Sequence, residues 1–418
     1  MAMRIVWYEC KKALTSPILI GLLLLFIAFN IFVIMNNSYF KDELKVANEL
    51  IEKYGREITD QSLLQFEKDL QANLIQLKEI TGQQFSSVYD FVEQLPYEKR
   101  ELYSEKDWHF IDQLQLKEMY FGMANDIDES YASIDLEKVA ANDIARYGLS
   151  GNAEKTLLRE YDKFSQRFEE MKQNGEHKEW FFAGKAYFMH SFLFKTVFQH
   201  IAIEALMLII LSTALITNYE FENRTHLVTY GTAKGRRLMK DKLGASVVMA
   251  VLLTTFILVN TLIAYFTVFD YMSLWRTSIS SAFNWEYNFP NVAWWDLSVG
   301  SFLAGVIVIV YITMLLFSGL TFALTTLVKN SYTAAILMAT FFVLALLIPG
   351  FMPTSSNLLF ITSYNLSVLV LNIPASFMGS SGLVMFKNFE WLTTVCWTMI
   401  TILFCLFSLK WFSKKDIQ

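Results

Sequence analysis

The chain has 418 residues, 54% of them hydrophobic and 16% aromatic, with a mean hydropathy of +0.33. Its net charge of −5 hides two populations: residues 37–185 hold 30 acidic and 19 basic side chains, the remainder 10 and 16. An acidic block inside a basic, apolar shell points to a membrane protein, and it excludes nucleic-acid binding because no basic face combines with stacking aromatics outside the membrane loops.

Residues 1–16 interleave Ile5, Val6, Trp7 and Tyr8 with Arg4, Glu9, Lys11 and Lys12. This pattern predicts an amphipathic helix lying in the cytoplasmic interface; a plain basic flank of the first span is the other reading. Pro17 opens residues 18–35, a charge-free run long enough to cross a bilayer. No small-residue cleavage site precedes Asn36 and Asn37, so the run is expected to be an uncleaved span.

The acidic block follows. Leu44, Leu50, Ile51, Leu63, Leu64, Leu70, Leu74, Leu77 and Ile80 recur mostly at three- and four-residue steps, which predicts helix. Gly55 and Thr59–Asp60 split this stretch into two helices, and a further helical group over 85–95 ends at Pro96. More amphipathic stretches lie in 105–147, and residues 152–172 predict one clear helix before Gly175 and Gly184. Cys10, Cys396 and Cys405 all lie in or beside membrane segments, so this block is expected to fold without disulfides.

Five more apolar runs are expected as spans: 191–217, 245–269, 299–328, 332–349 and 391–412. The first contains His200 and Glu204, one helical turn apart. A carboxylate inside a span is costly unless paired or wetted, so the two could line a translocation path or bind a cation. If that span begins as late as Ile201, Glu204 is instead a snorkelling interfacial group.

Between the second and third runs lies a polar island, residues 218–242, NYEFENRTHLVTYGTAKGRRLMKDK. It joins Glu220 and Glu222 to a Thr/Gly turn and then to Arg236, Arg237, Lys240 and Lys242. Arg4, Lys11, Lys12, this island, Lys329, Lys410, Lys414 and Lys415 share one side of an alternating six-span map. The positive-inside rule puts that side, with both termini, in the cytoplasm and the acidic block outside. Trp285, Tyr287, Trp294 and Trp295 are expected at the opposite interface as an aromatic belt. Residues 358–373, broken by Ser363, Asn365, Ser367 and Asn372, suit a re-entrant or interfacial helix better than a seventh span. A single extra crossing would move Lys410, Lys414 and Lys415 outside, whereas a pair would not.

The start, WYECKKALTSP, and the island with Tyr219–Glu220–Phe221–Glu222, Thr225, Thr229–Tyr230–Gly231–Thr232 and Gly235–Arg236–Arg237 resemble permeases of the type-two ABC exporter family. The likeness covers the membrane part, a little over half of the chain. The acidic block exceeds the family's compact core, and Thr229–Tyr230–Gly231 replaces a more usual leucine-rich stretch. The chain is thus expected to be an all-α membrane protein with six transmembrane helices, an N-terminal interfacial helix and a helical extracellular domain between spans one and two. Residues 1–36, 37–190 and 191–418 are the expected units, with 218–242 as the cytoplasmic coupling loop in a multi-pass cell-membrane protein.

The function so implied is a permease subunit, not itself an enzyme, coupling a cytoplasmic ABC ATPase to export of an amphiphilic peptide, lipid or drug. ATP and Mg would sit on that partner, and a second permease subunit, identical or different, would complete a dimer. This chain needs no cofactor. A phosphate-binding loop, GxxxxGK followed by Ser or Thr, is absent from it. Five histidines without HExxH spacing leave no metal site. The expected partner-coupling residues are Glu220, Glu222, Thr225, Gly231, Arg236, Arg237, Lys240 and Lys242; the simpler alternative is a solvated positive-inside loop. A second functional reading keeps the outer helical domain as the ligand-binding module of a membrane sensor or resistance accessory protein that does not transport.

Overall fold

The computed structural model describes residues 2–182, 191–286, 289–380 and 382–414. Gly184, Tyr287 and Lys415, and the residues joining the acidic block to the second span, lie outside them. Among the described residues the fold is almost wholly helical, with one two-stranded hairpin, Trp285–Glu286 against Phe289–Pro290.

Among the described residues six helices are long and apolar enough to cross a membrane, which makes this a multi-pass membrane protein. They are span one Pro17–Asn36, span two Phe192–Glu222, span three Leu238–Val268, span four Val299–Thr325, span five Ser331–Phe351 and span six Phe389–Lys414. Span two is the most buried and packs against spans one, three, four and five, whereas spans one and five are the most open to their surroundings.

Two helix ends depart from the charge pattern. Span two continues through Asn218 and Glu220 to Glu222, and span three already begins at Leu238. The connection between them therefore shortens from 218–242 to 223–237. Charged residues did not end these helices because Glu220 and Lys242 neutralise one another between them.

In the acidic block the two expected helices are Lys41–Tyr54 and Asp60–Thr81. Gly55 stops the first at φ +84°, a backbone region that disfavours side chains, and the Thr59 hydroxyl accepts from the Ser62 amide to start the second. Helices Val88–Gln94, Glu105–Asn125, Ile127–Ala132, Leu136–Tyr147 and Gly151–Asn174 follow. Leu44, Leu50, Leu70 and Leu77 are buried as their periodicity predicts, while Leu64 is exposed.

The block is fused to the connections after spans three and five. Arg167, buried in helix Gly151–Asn174, holds Glu176 at 2.8 and 2.5 Å and donates to the Ala293 carbonyl at 3.0 Å. The Ser150 amide reaches the Thr354 carbonyl, and the Asn48 amide side chain reaches the Asp270 carbonyl. The aromatic-belt expectation is corrected here. Trp294 is buried, its ring 5.6 Å from Phe164 and its Nε1 donating to the Met385 carbonyl, while Trp285 and Trp295 are half-buried. These rings meet protein because the block supplies an apolar face above them. Residues 358–373 contain two short helices, Leu358–Ser363 and Leu366–Leu371, in place of one.

At the other end the N-terminal helix Ala2–Leu14 lies against spans two and three. Trp7 and Tyr8 face outward, and Glu9, Cys10 and Ala13 face inward. The connection 223–237, the start of span five and the end of span six all meet at this end.

Candidate functional site

The most concentrated chemistry lies where the N-terminal helix meets spans two and three. Glu9 and Lys12 stand three residues apart on one helix, so both point at the end of span two. Lys12 Nζ lies 2.6 Å from Glu9 Oε1 and 2.8 Å from Glu220 Oε1. From span three, Lys242 Nζ lies 2.5 Å from Glu220 Oε2 and donates to the Ile216 carbonyl. It also faces Glu9 Oε2 at 3.3 Å, an ion pair without hydrogen-bond geometry. The Tyr230 hydroxyl donates to Glu220 Oε2 at 2.8 Å, tying in the short helix His226–Tyr230.

Glu220 is 4% exposed and Lys242 is 0% exposed. Withdrawing each such ion from water costs several kcal/mol, and they persist together because two carboxylates meet two ammonium groups. Burial works against the Lys12 ammonium, but its hydrogen bonds to Glu220 and Glu9 outweigh it and hold its pKa above the ordinary lysine value. The Tyr230 phenol is pushed above its ordinary range, first by burial and then by the Glu220 charge.

Of the expected partner-coupling residues, Glu220 and Lys242 are turned inward. The other coupling candidates divide. Glu222 Oε1 accepts from the Ser331 amide at 2.8 Å, capping the start of span five. The Thr225 amide donates to the Glu220 carbonyl at 2.9 Å, closing the end of span two. Gly231, Arg237 and Lys240 are exposed, and Arg236 is pinned by the Tyr230 and Ser413 carbonyls at 3.3 and 2.7 Å. Gly235 has no side-chain alternative, since a Cβ there would collide with the Thr229 carbonyl oxygen.

What protrudes is apolar. On the tip helix His226–Tyr230, Val228 is 87% exposed and Leu227 57%, while Tyr230 at its other face is buried against Met239 and Phe412. Neither protruding residue stands out by charge or spacing, which is why sequence reasoning misses them.

Glu204 forms a second candidate. The helix of span two begins at Phe192, twelve residues before Glu204, and not as late as Ile201. Glu204 is 5% exposed, and its Oε2 accepts from Asn30 Nδ2 of span one at 2.7 Å. Asn30 also donates to Thr261 of span three at 3.1 Å. Three spans thus share one polar contact inside the membrane region. Beside it lies a cleft of ≈ 490 Å³, lined by Phe26, Phe29, Ile203 and Met207 together with His200 and Glu204. The His200 ring lies 5.2 Å from that of Phe29. The structure therefore brings His200 and Glu204 to one cleft and adds Asn30, a polar residue midway along an otherwise apolar span.

Among the described residues no group of three His, Cys, Asp or Glu side chains is arranged to hold a metal. The three cysteines are free. Comparison with protein-family models, curated proteins and solved structures yields no match to this chain.

Proposed function

We propose that this chain is the membrane-spanning permease subunit of an ATP-driven exporter, coupling a separate cytoplasmic ATPase to export of an amphiphilic peptide, lipid or drug. The observation that supports this most is the mounting of the tip. Leu227 and Val228 project from a fifteen-residue connection whose base is welded to two spans and the N-terminal helix through Glu9, Lys12, Glu220, Tyr230 and Lys242. A partner that seats the tip moves spans two and three as one body, where a loose linker would absorb the displacement. In this reading both termini and the tip lie in the cytoplasm, and the helical block lies outside the cell membrane. ATP and Mg reside on the partner, a second permease subunit completes the assembly, and the Glu204–His200 cleft lies on the substrate path.

The test replaces Leu227 and Val228 together by Ser. Fully burying two such side chains contributes about 3–6 kcal/mol, so a docked tip made polar should weaken partner recovery about a hundredfold or more. Membrane insertion should be unchanged, because neither side chain packs inside the chain. Unaltered partner recovery and ATP turnover in this variant would overturn the proposal.

A further inference from the structure

The end of span six and the beginning of span three enclose a groove of ≈ 550 Å³. Arg236, Arg237, Lys240 and Lys410 supply its polar wall, and Leu406 and Leu409 its apolar wall. No carboxylate lines it among the described residues. Arg236 spends two donors on the Tyr230 and Ser413 carbonyls, while Arg237, Lys240 and Lys410 are exposed and form no ion pair among the described residues. Four like charges around one hollow repel one another, and an anion inside it would relieve all four.

The position of the groove selects the anion. Span six has no charged residue over 391–409, a stretch of about 28 Å at 1.5 Å per residue, and Lys410 is the first charge after it. Span three has none over 243–269, and Lys240, Asp241 and Lys242 immediately precede that run. The cations of both helices therefore stand at one edge of the hydrocarbon layer, where headgroup phosphates lie. Below them Leu403, Leu406 and Phe407 of span six are exposed and continue the apolar wall towards the bilayer centre.

We propose that this groove holds the headgroup of an anionic phospholipid of the adjacent leaflet. Its phosphate sits among Arg237, Lys240 and Lys410, and its acyl chains run down the Leu403–Leu406–Phe407 face. Four cations match two phosphates better than one, so diphosphatidylglycerol should bind more tightly than phosphatidylglycerol. Phosphatidylcholine, whose choline meets the same cations, should bind least. The site does not depend on the exporter reading, since it needs only the membrane boundary and the groove.

The experiment is native mass spectrometry of the delipidated full chain, titrated with these three lipids bearing identical acyl chains. Retention in the order diphosphatidylglycerol, phosphatidylglycerol, phosphatidylcholine is expected. Each surface cation removed should weaken binding about fivefold, so Arg237→Gln, Lys240→Gln and Lys410→Gln together should cost about a hundredfold. The same charge change at Lys68, Lys106 and Lys155 of the helical block should leave retention unaltered. Equal retention of the three lipids by the wild-type chain would overturn the proposal, and that arm stands even if the triple variant fails to fold. Displacement of bound lipid by millimolar inorganic phosphate would also overturn it, in favour of a soluble phosphate ligand.

Discussion

Replacing Lys242 by Met tests whether the node of Glu9, Lys12, Glu220 and Lys242 holds the structure together. The substitution keeps the length and apolar stem of the side chain but leaves Glu9 and Glu220 sharing Lys12 alone. The remaining carboxylate charge has little access to water, since Glu9 is 3% and Glu220 4% exposed. Removing one partner of a buried pair costs about 3–5 kcal/mol, mostly from the ion left behind. The double variant Glu220→Leu with Lys242→Met removes one charge of each sign, and such apolar replacement is often neutral or stabilising. Lys12 and Glu9, 2.6 Å apart, then remain a self-sufficient pair. A double-mutant cycle, read by unfolding of the detergent-solubilised chain in graded denaturing detergent, should give a coupling energy of about 2 kcal/mol or more. If Lys242→Met costs under about 1 kcal/mol, or the double variant costs the sum of the singles, the node is a set of solvated charges and the rigid-mount argument fails.

Glu204→Gln should fold normally, because an amide oxygen still accepts from Asn30, whereas Glu204→Leu should leave the Asn30 amide with Thr261 alone and cost about 0.5–1.5 kcal/mol in the same unfolding assay. Residues 40–182 expressed without the membrane part should aggregate or bind a hydrophobic dye, since Phe164 and Trp180 lose Trp294 and Phe283; a monomeric, dye-free product would refute the fused-core description. His177 should make the helical block acid-labile. It is buried beside Tyr131, and its pKa is held below 6.5 first by burial and then by Lys178. A depressed histidine contributes stability that is present above 6.5 and lost as pH falls towards its folded value, so His177→Phe should flatten the stability profile on the acid side of 6.5.

The spans were legible because a charge-free run of twenty or so apolar residues has few alternatives. Their ends are not legible, because a charge marks a loop only where no distant partner neutralises it. Lys242 resembles a positive-inside residue until Glu220, twenty-two positions earlier, is found against it. Glu9 and Lys12 already stand at a pairing distance in sequence, but nothing local tells that both also meet groups more than 200 residues away. Aromatic residues misled for a related reason. A ring suits a membrane interface and a protein core equally well, and only the block lying over Trp294 decides between them. Asn30 is a signal legible in the sequence, because a polar side chain midway through an apolar span needs a partner within reach.

The short connection between spans two and three, together with the helix ends that flank it, divides into three layers with separate physical roles. Its innermost layer is electrostatic and dry: Glu220 and Lys242 meet the N-terminal helix where water cannot weaken them. Its middle layer is cationic and wet, with Arg237 and Lys240 facing the groove beside Lys410. Its outermost layer is the apolar pair Leu227 and Val228. The order follows from what each group tolerates. Opposite charges in equal number can be buried, like charges must remain near water or an anion, and an exposed apolar pair on a rigid base gains from a protein surface that covers it. A change confined to one layer should therefore alter one property and spare the others: fold stability from the innermost, lipid preference from the middle, and partner recovery from the outermost. Loss of all three from Leu227→Ser and Val228→Ser alone would show that the layers are not separate, and that the connection folds only when covered.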